Sequence, residues 1–379
     1  MSRPSEQGAA MSTNLRIIHK KTGNFLEDFG PGQILKHRGG KTVTEGLLAT
    51  FGDFSFTTHP FSKNRRYAQA HGYRDLVCPP GLVMLVAFSQ TVGDISENAR
   101  ANLEYINMRF GAPVYPGDTI EVETKILGVR TSSSRPNLGI VHVQSTARKN
   151  IGSADEAIVL TFERKVQVFK GDDDAVVEGF DVEPDDIECD LWLPKYGAKS
   201  DYEGIAHLGG DDGYFEDFEV GTLLAHSRGR TVTNEHIHLT GILDNTSQVH
   251  CNQHMIDLNP SRYLGGQLVV YGGIPFSLCL GISGPDIGDN SFGDSIYTTG
   301  RHTAPLAGGE TVFASTEILA KRDHPTREDL GIVETRLYGH KFDAEEGATH
   351  DDAPEGYKKT KIFELDRQVV VKRRSHYTA

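Results

Sequence analysis

Cysteine, tryptophan and net basic charge are all in short supply in this chain of 379 residues, and it contains no long apolar run. Its four cysteines (Cys78, Cys189, Cys251, Cys279) stand far apart, with no CxxC pair and no zinc-ligand spacing. That excludes a disulfide framework and a cysteine-built metal module, and lone thiols suit a reducing, cytoplasmic compartment. Thirty-nine Lys and Arg against 52 Asp and Glu leave a formal charge of −13 and a pI near 5.6. The balance argues against a nucleic-acid partner, which needs a basic face, and against docking on anionic membranes. A local basic pocket for an anionic small ligand is still compatible with an acidic body. No window approaches the ~18–20 apolar residues of a membrane span, and the N-terminal MSRPSEQGAAMSTNLR lacks the apolar centre of a secretory signal. There is no Walker loop, and no dinucleotide fingerprint in a strand–turn–helix setting.

What is present is repetition. Hydrophobic residues (37%) suffice for buried cores, and the length suits two domains of ~150 residues each. Residues 23–45 read GNFLEDFGPGQILKHRGGKTVTE and residues 212–234 read DGYFEDFEVGTLLAHSRGRTVTN, a gapless match at an offset of 189 (212 − 23). Further along, Thr124-Lys-Ile-Leu127 answers Thr316-Glu-Ile-Leu319, and Leu138-Gly-Ile-Val141 answers Leu330-Gly-Ile-Val333, at an offset of 192 (316 − 124). The same offset pairs Tyr105 and Arg109 with Tyr297 and Arg301. The expected organisation is a first half over 13–170, an acidic linker and strap over 171–211, and a second half over 212–379. Trp192, in the strap, reads as a packing anchor.

Each half has one rhythm. Short strand-like pieces (33–36 and 41–44; 223–225 and 230–233) precede a buried helix, expected from Gly81 in the first copy and from Gly273 in the second. Pro275 falls where a first helical turn tolerates proline. Alternating strands follow over 119–127, 140–147 and 157–169, then over 311–319, 332–342 and 361–371. Strands wrapped on one central helix predict an α+β fold with a single antiparallel sheet per half.

Two stretches place an acid six residues before a histidine, upstream of the central helix: Asp53 with His59, and Asp244 with His250. From His59 to Gly81 is 22 residues (81 − 59), and from His250 to Gly272 is also 22 (272 − 250), which aligns the histidines and sets Gly81 and Gly272 at the helix starts. Free first-turn N–H groups there suit a developing oxyanion, and an acid–imidazole couple suits water activation. Arg109, Arg301, Arg135 and Arg327 are the attractive partners for a diphosphate or a carboxylate, since guanidinium forks match those anions. His236, His238 and His254 read as surface or packing groups. No metal site is expected, although those three with His250 are the residues that would build one.

The later motifs are Arg109-Phe-Gly-Ala-Pro113-Val114-Tyr-Pro-Gly117-Asp118-Thr119 and Ser134-Arg135-Pro136-Asn-Leu-Gly139-Ile140-Val141. With the Gly52-Asp53…His59 stretch they resemble the MaoC-like family of (R)-specific enoyl-CoA hydratases in a double hotdog arrangement. Both copies together cover most of the chain. The resemblance implies a lyase that adds water reversibly across the double bond of a branched, dicarboxylic enoyl-CoA. It implies an acyl-CoA substrate, no cofactor beyond the CoA of that substrate, and a homo-oligomer associating through its sheets. The family pattern is G-D-x-N-P-x-H, five residues from acid to histidine. Here Thr58 stands where the first half's histidine belongs, and Asn245 where the second half's aspartate belongs. Asn245 can orient water but cannot take a proton. Asn245–His250 keeps the motif's shape and Asp53–His59 keeps the better acid, so which half works is open at this level. So are two rivals: a hydratase of the same family acting on itaconyl-CoA, a mesaconyl-CoA positional isomer or a plain (R)-enoyl-CoA, and a non-catalytic acyl-CoA-binding module.

Overall fold

The computed structural model describes residues 20, 22–233, 235–260, 266–342 and 361–378; the N-terminal MSRPSEQGAAMSTNLR stretch and the side chain of His238 lie outside them. In the first half the strands are β1 (Ile34–Lys36), β2 (Lys41–Thr42), β3 (Ala99–Phe110), β4 (Thr119–Thr131), β5 (Leu138–Lys149) and β6 (Ala157–Phe169), and the strap adds β7 (Phe180–Asp181). The second half supplies β8 (Leu223–Thr231), β9 (Ser291–His302), β10 (Thr311–Asp323), β11 (Leu330–His340) and β12 (Lys361–Lys372). Helices α1 (Glu45–Phe54), α2 (Pro60–Lys63), α3 (Arg65–Ala70) and α4 (Pro80–Thr91) precede β3. Helix α5 (Ser200–Glu203) lies in the strap, and α6 (Glu235–Ile242), α7 (Gln253–Leu258) and α8 (Gly273–Ser283) precede β9.

The sheet runs β1-β4-β5-β6-β3-β9-β12-β11-β10-β8, with β2 and β7 added on β4. The expectation of one sheet per half is therefore corrected: β3 and β9, long strands missing from the sequence reading, pair with each other and fuse both halves into one antiparallel surface. Their register joins Tyr105 to Gly300 and Met108 to Tyr297. Removing the 192-residue offset turns Gly300 into position 108 and Tyr297 into position 105, so the seam is self-complementary, as a two-fold relation between the halves requires.

Helices α4 and α8 are buried along almost their whole length, as their apolar sequences demand. They pack in one shared core, and α8 needs residues without side chains at two close approaches: a Cβ on Gly273 would lie 1.9 Å from Leu85 Cδ2 of α4, and one on Gly281 would lie 1.7 Å from the carbonyl oxygen of Ser55, just after α1. Each helix ends in a π-type turn, Val92–Ser96 and Gly284–Gly288. These turns hold another duplicated device. His37 bonds Asp94 (2.9 Å) and Thr124 (2.7 Å), while His226 bonds Asp286 (2.5 Å) and Thr316 (2.8 Å).

The acidic stretch is more than a solvated tether. Its β7 pairs with Gly128 and Val129 of β4, and the Trp192 N–H donates to the Gly111 carbonyl. Trp192 packs against Tyr73 while remaining partly exposed. No helix among the described residues is long and apolar enough to cross a membrane.

Candidate active site

The segment between α6 and α8 turns sharply. Asp244 adopts a left-handed backbone (φ 61°), which short polar residues tolerate better than most. The turn sends neighbouring side chains to opposite sides. Asp244 faces solvent (56% exposed) and pairs with Lys41 at 2.6 Å. Asn245 is buried, its side-chain oxygen accepting from the Ser247 N–H at 3.1 Å. Asp244 is thus corrected from a candidate acid to a surface ion pair. Asp53 meets the same fate in the first half. It sits near the exposed end of α1 (86% exposed), 3.8 Å from Arg230, which also donates to the Asp53 carbonyl. Neither acid of the sequence reading faces its histidine.

The two histidines differ in what their nitrogens do. In the first half, the Phe61 N–H donates to His59 Nδ1 (3.2 Å). The proton therefore sits on Nε2, which donates to the Ser291 carbonyl (3.2 Å). Both nitrogens are used, and His59 lines two small cavities of about 70 and 80 Å³. In the second half, His250 Nδ1 lies 2.8 Å from the Val269 carbonyl, which can only accept, so Nδ1 carries the hydrogen and Nε2 keeps a lone pair. Burial pushes the His250 pKa down to about 4, keeping the ring neutral near pH 7.

His250 and Asn245 open onto a cavity of about 290 Å³ built across the seam. The second half contributes Tyr271, Gly272 and His302 to it, and the first half contributes Phe88, Asn102, Tyr105 and Arg164. Gly272 caps α8, where first-turn amides have no intrahelical acceptor and the helix dipole favours negative charge. It must be glycine, because a Cβ there would lie 2.7 Å from His302 Nε2. His302 in turn bonds the Tyr105 hydroxyl at 3.2 Å, and burial lowers its pKa to about 4. The Tyr271 hydroxyl is buried beside Ser89 and Asn245. Gly81, the counterpart placed by the sequence, lines one of the small cavities instead, where a Cβ would meet Phe51 Cζ at 3.1 Å.

The four arginines singled out in the sequence do not line the large cavity. Arg109 is exposed on β3, and Arg301 is exposed on β9 and paired with Glu364. Arg327 grips Asp329 through two bonds of 2.7 Å and donates to the Pro194 carbonyl, so it is a structural clamp for the strap. Arg135 is exposed in the β4–β5 turn; burial and, after it, the Arg135 charge lower the pKa of Arg100, which does line the cavity. The cavity's buried cation is Arg164, which the sequence reading missed along with Asn102, Tyr271 and His302. One signal was present: Phe162, Val166 and Val168 alternate with Glu163, Lys165 and Gln167, and Arg164 falls on the apolar phase, which is the buried one in β6. His236 is buried against Phe54 and His254 is exposed. Among the described residues no group of three or more His, Cys, Asp or Glu is placed to hold a metal.

The chain matches the family model for mesaconyl-CoA hydratase over residues 8–350. It is 34% identical to the β-methylmalyl-CoA dehydratase of Chloroflexus aurantiacus, over 93% of this chain and 98% of that protein. It is 28% identical to the mesaconyl-CoA hydratase of Cereibacter sphaeroides, over 87% and 93% of the two chains. A crystal structure of a MaoC domain protein dehydratase from Chloroflexus aurantiacus superposes with a TM-score of 0.81 at 33% identity, covering 93% of this chain and 98% of that one. A double-hotdog protein from Mycobacterium tuberculosis shares the fold at a TM-score of 0.70 and 20% identity, covering 92% and 98%. Repeat, seam, central helices and sequence agree, and the chain belongs to the mesaconyl-CoA hydratase family.

Proposed function

We propose that this protein is a hydro-lyase that adds water reversibly to mesaconyl-CoA to give β-methylmalyl-CoA, with His250 as its acid–base group. The observation that carries the reading is the His250–Val269 bond, which leaves a neutral imidazole with an open Nε2 in a cavity that Gly272, at the start of α8, also lines. Family membership and the names of the relatives support the choice of substrate.

A water held between Asn245 and His250 attacks the β-carbon as Nε2 takes its proton. Negative charge moves to the thioester oxygen, where the Gly272 N–H and the positive end of α8 stabilise the enolate. The imidazolium so formed is a strong acid for its type, because burial lowers its pKa to about 4. It delivers that proton to the α-carbon on the same face to which the water oxygen has added. The thioester itself makes the α-carbon able to carry charge, so the scheme uses no metal or redox cofactor, and CoA enters only as part of the substrate. The same reading has the enzyme working in the cytoplasm, as its free cysteines suit, and as a homo-oligomer.

Asn245 in place of an acid favours one rival, an acyl-CoA-binding module without activity. Incubation with mesaconyl-CoA separates the two. The hydratase removes the enoyl-thioester absorbance and yields a product heavier by one water. An unchanged spectrum, or release of free CoA thiol, contradicts it.

A further inference from the structure

The halves place an arginine at the same point of the same strand pair. Arg164 of β6 faces Tyr105 of β3 in register, and Arg367 of β12 faces Tyr297 of β9. Two residues further along β6 and β12, and three back along β3 and β9, Asn102 faces Val166 and Asp294 faces Val369. Asn102 and Asp294 are therefore equivalent positions (294 − 102 = 192), and they carry different chemistry. Arg367 has a carboxylate partner in Asp294 at 3.5 Å, and its Nη2 donates to Ser283 Oγ at 3.2 Å. Arg164 keeps only the equivalent hydroxyl, donating from Nη2 to Thr91 Oγ1 at 2.8 Å.

The rest of Arg164 is unsatisfied. Its side chain is fully buried, yet Nε and Nη1 have no hydrogen-bond partner, and both Nδ2 and Oδ1 of Asn102 have none either. Arg367, by contrast, leaves only Nε unpartnered. Among the described residues no carboxylate pairs with Arg164; its guanidinium lies on the Phe88 ring, 4.2 Å from the centroid. A buried charge without a counter-ion is costly, and a buried donor without an acceptor adds to that cost. Arg164 and Asn102 both line the 290 Å³ cavity that His250 and Gly272 share, whereas Arg367 and Asp294 border a cavity of about 70 Å³. The missing anion has a place to sit only in the first of these.

We infer that Arg164 and Asn102 form a carboxylate subsite that binds the free acid end of a dicarboxylic acyl-CoA, and that the Asn102/Asp294 difference is what makes one half receptive and the other closed. The inference rests on the reading of the large cavity as an acyl-CoA site and supplies its selectivity. The Arg164 guanidinium and the Asn102 amide donate to the carboxylate, and Phe88 shields the pair from water. Asp294 performs the same neutralisation permanently in the sister half.

The test is equilibrium binding of two saturated thioesters that cannot be hydrated, succinyl-CoA and butyryl-CoA, so that its outcome does not depend on catalysis. The wild-type protein is expected to bind succinyl-CoA at least ~100-fold tighter than butyryl-CoA, the scale of a desolvated charge-assisted contact. Asn102→Asp introduces into this half the ion pair the other half already holds. It is expected to collapse the ratio to within about fivefold while the protein stays folded, and Arg164→Met is expected to do the same. Equal binding of both thioesters by the wild type overturns the inference, as does an unchanged ratio in the two folded variants. Equal loss of both ligands in the variants also overturns it, since that outcome marks a pocket-shaping role. A protein that discriminates in this way but leaves mesaconyl-CoA unhydrated would contradict the proposed reaction and leave the subsite standing.

Discussion

His250 and His59 occupy equivalent places in the two halves and carry their protons on opposite ring nitrogens. The Val269 carbonyl holds hydrogen on Nδ1 of His250, and the Phe61 amide forces hydrogen onto Nε2 of His59. Duplication made two similar loops; one backbone acceptor and one backbone donor gave them different acid–base capacity.

Because burial holds the His250 pKa near 4, well below the usual 6.5, the base form persists through neutral and mildly acidic pH. The kcat/KM profile for mesaconyl-CoA is expected to be flat between about pH 6 and 8, with no inflection near the ordinary histidine value of ~6.5. Asn245→Ala is expected to lower kcat by about 10- to 100-fold without moving that profile, since the amide orients water and does not titrate. An inflection near pH 6.5 in the wild type would contradict the burial argument.

Gly272→Ala places a methyl group 2.7 Å from His302 Nε2 and displaces the amide offered to the enolate. A fall in kcat of about 10²- to 10³-fold is expected, the usual scale for losing one oxyanion donor. Gly81→Ala, at the equivalent helix start, presses on Phe51 of α1 and Ser277 of α8 and is expected to cost about 1 kcal/mol of stability and less than fivefold in kcat. Steady-state kinetics and thermal melts on the two variants check both statements.

The aspartates that the sequence pattern offers as acids are surface ion pairs, and such pairs are typically worth less than ~1 kcal/mol. Asp53→Asn and Asp244→Asn are expected to leave kcat within about twofold and to shift stability by no more than ~0.5 kcal/mol. Asparagine also tolerates the left-handed backbone at position 244.

Acid should unfold this protein early. His59 (pKa about 3), His71 (about 2), His250 (about 4) and His302 (about 4) are all held neutral by burial. Their folded pKa values lie below the unfolded value of ~6.5, so the unfolded chain binds more protons and stability falls as pH drops below 6.5. The loss is at most ~1.4 kcal/mol per pH unit per histidine. Asp289, raised to about 6 by burial, works against it, because its folded form gains stability as pH falls through 6 towards 4. Glu97 and Asp294, also raised by burial, act in the same direction as Asp289, and the four histidines outnumber these three carboxyls. A thermal melting midpoint that drops between pH 7 and pH 5 is the expected result.

Much of the fold was legible because it is written twice. The near-constant offset gave the halves, and the apolar runs near Gly81 and Gly273 gave the central helices. The strands β3 and β9 were missed because Ala99–Phe110 and Ser291–His302 are polar for strands, being buried by each other at the seam more than by an apolar alternation of their own. That His250 and Gly272 share one cavity was foreshadowed by loop lengths that match in both copies, and Asn245 joins them there at the position the motif's spacing marks. The outward turn of Asp244 was not legible, because a single left-handed residue inverts which of two adjacent polar side chains faces inward. Arg164 escaped for a related reason: its value lies in lacking an acidic partner, and that partner position, Asn102, is 62 residues away in sequence (164 − 102).

The central claim is that one imidazole, not its duplicate, performs the hydration. Parallel assays of His250→Gln and His59→Gln test it, following loss of the enoyl-thioester absorbance of mesaconyl-CoA. The account predicts that His250→Gln slows the reaction at least ~10³-fold with the fold intact, and that a folded His59→Gln stays within about tenfold of the wild type. A His250→Gln protein that still hydrates at near wild-type rate, or a folded His59→Gln protein that does not, would contradict it.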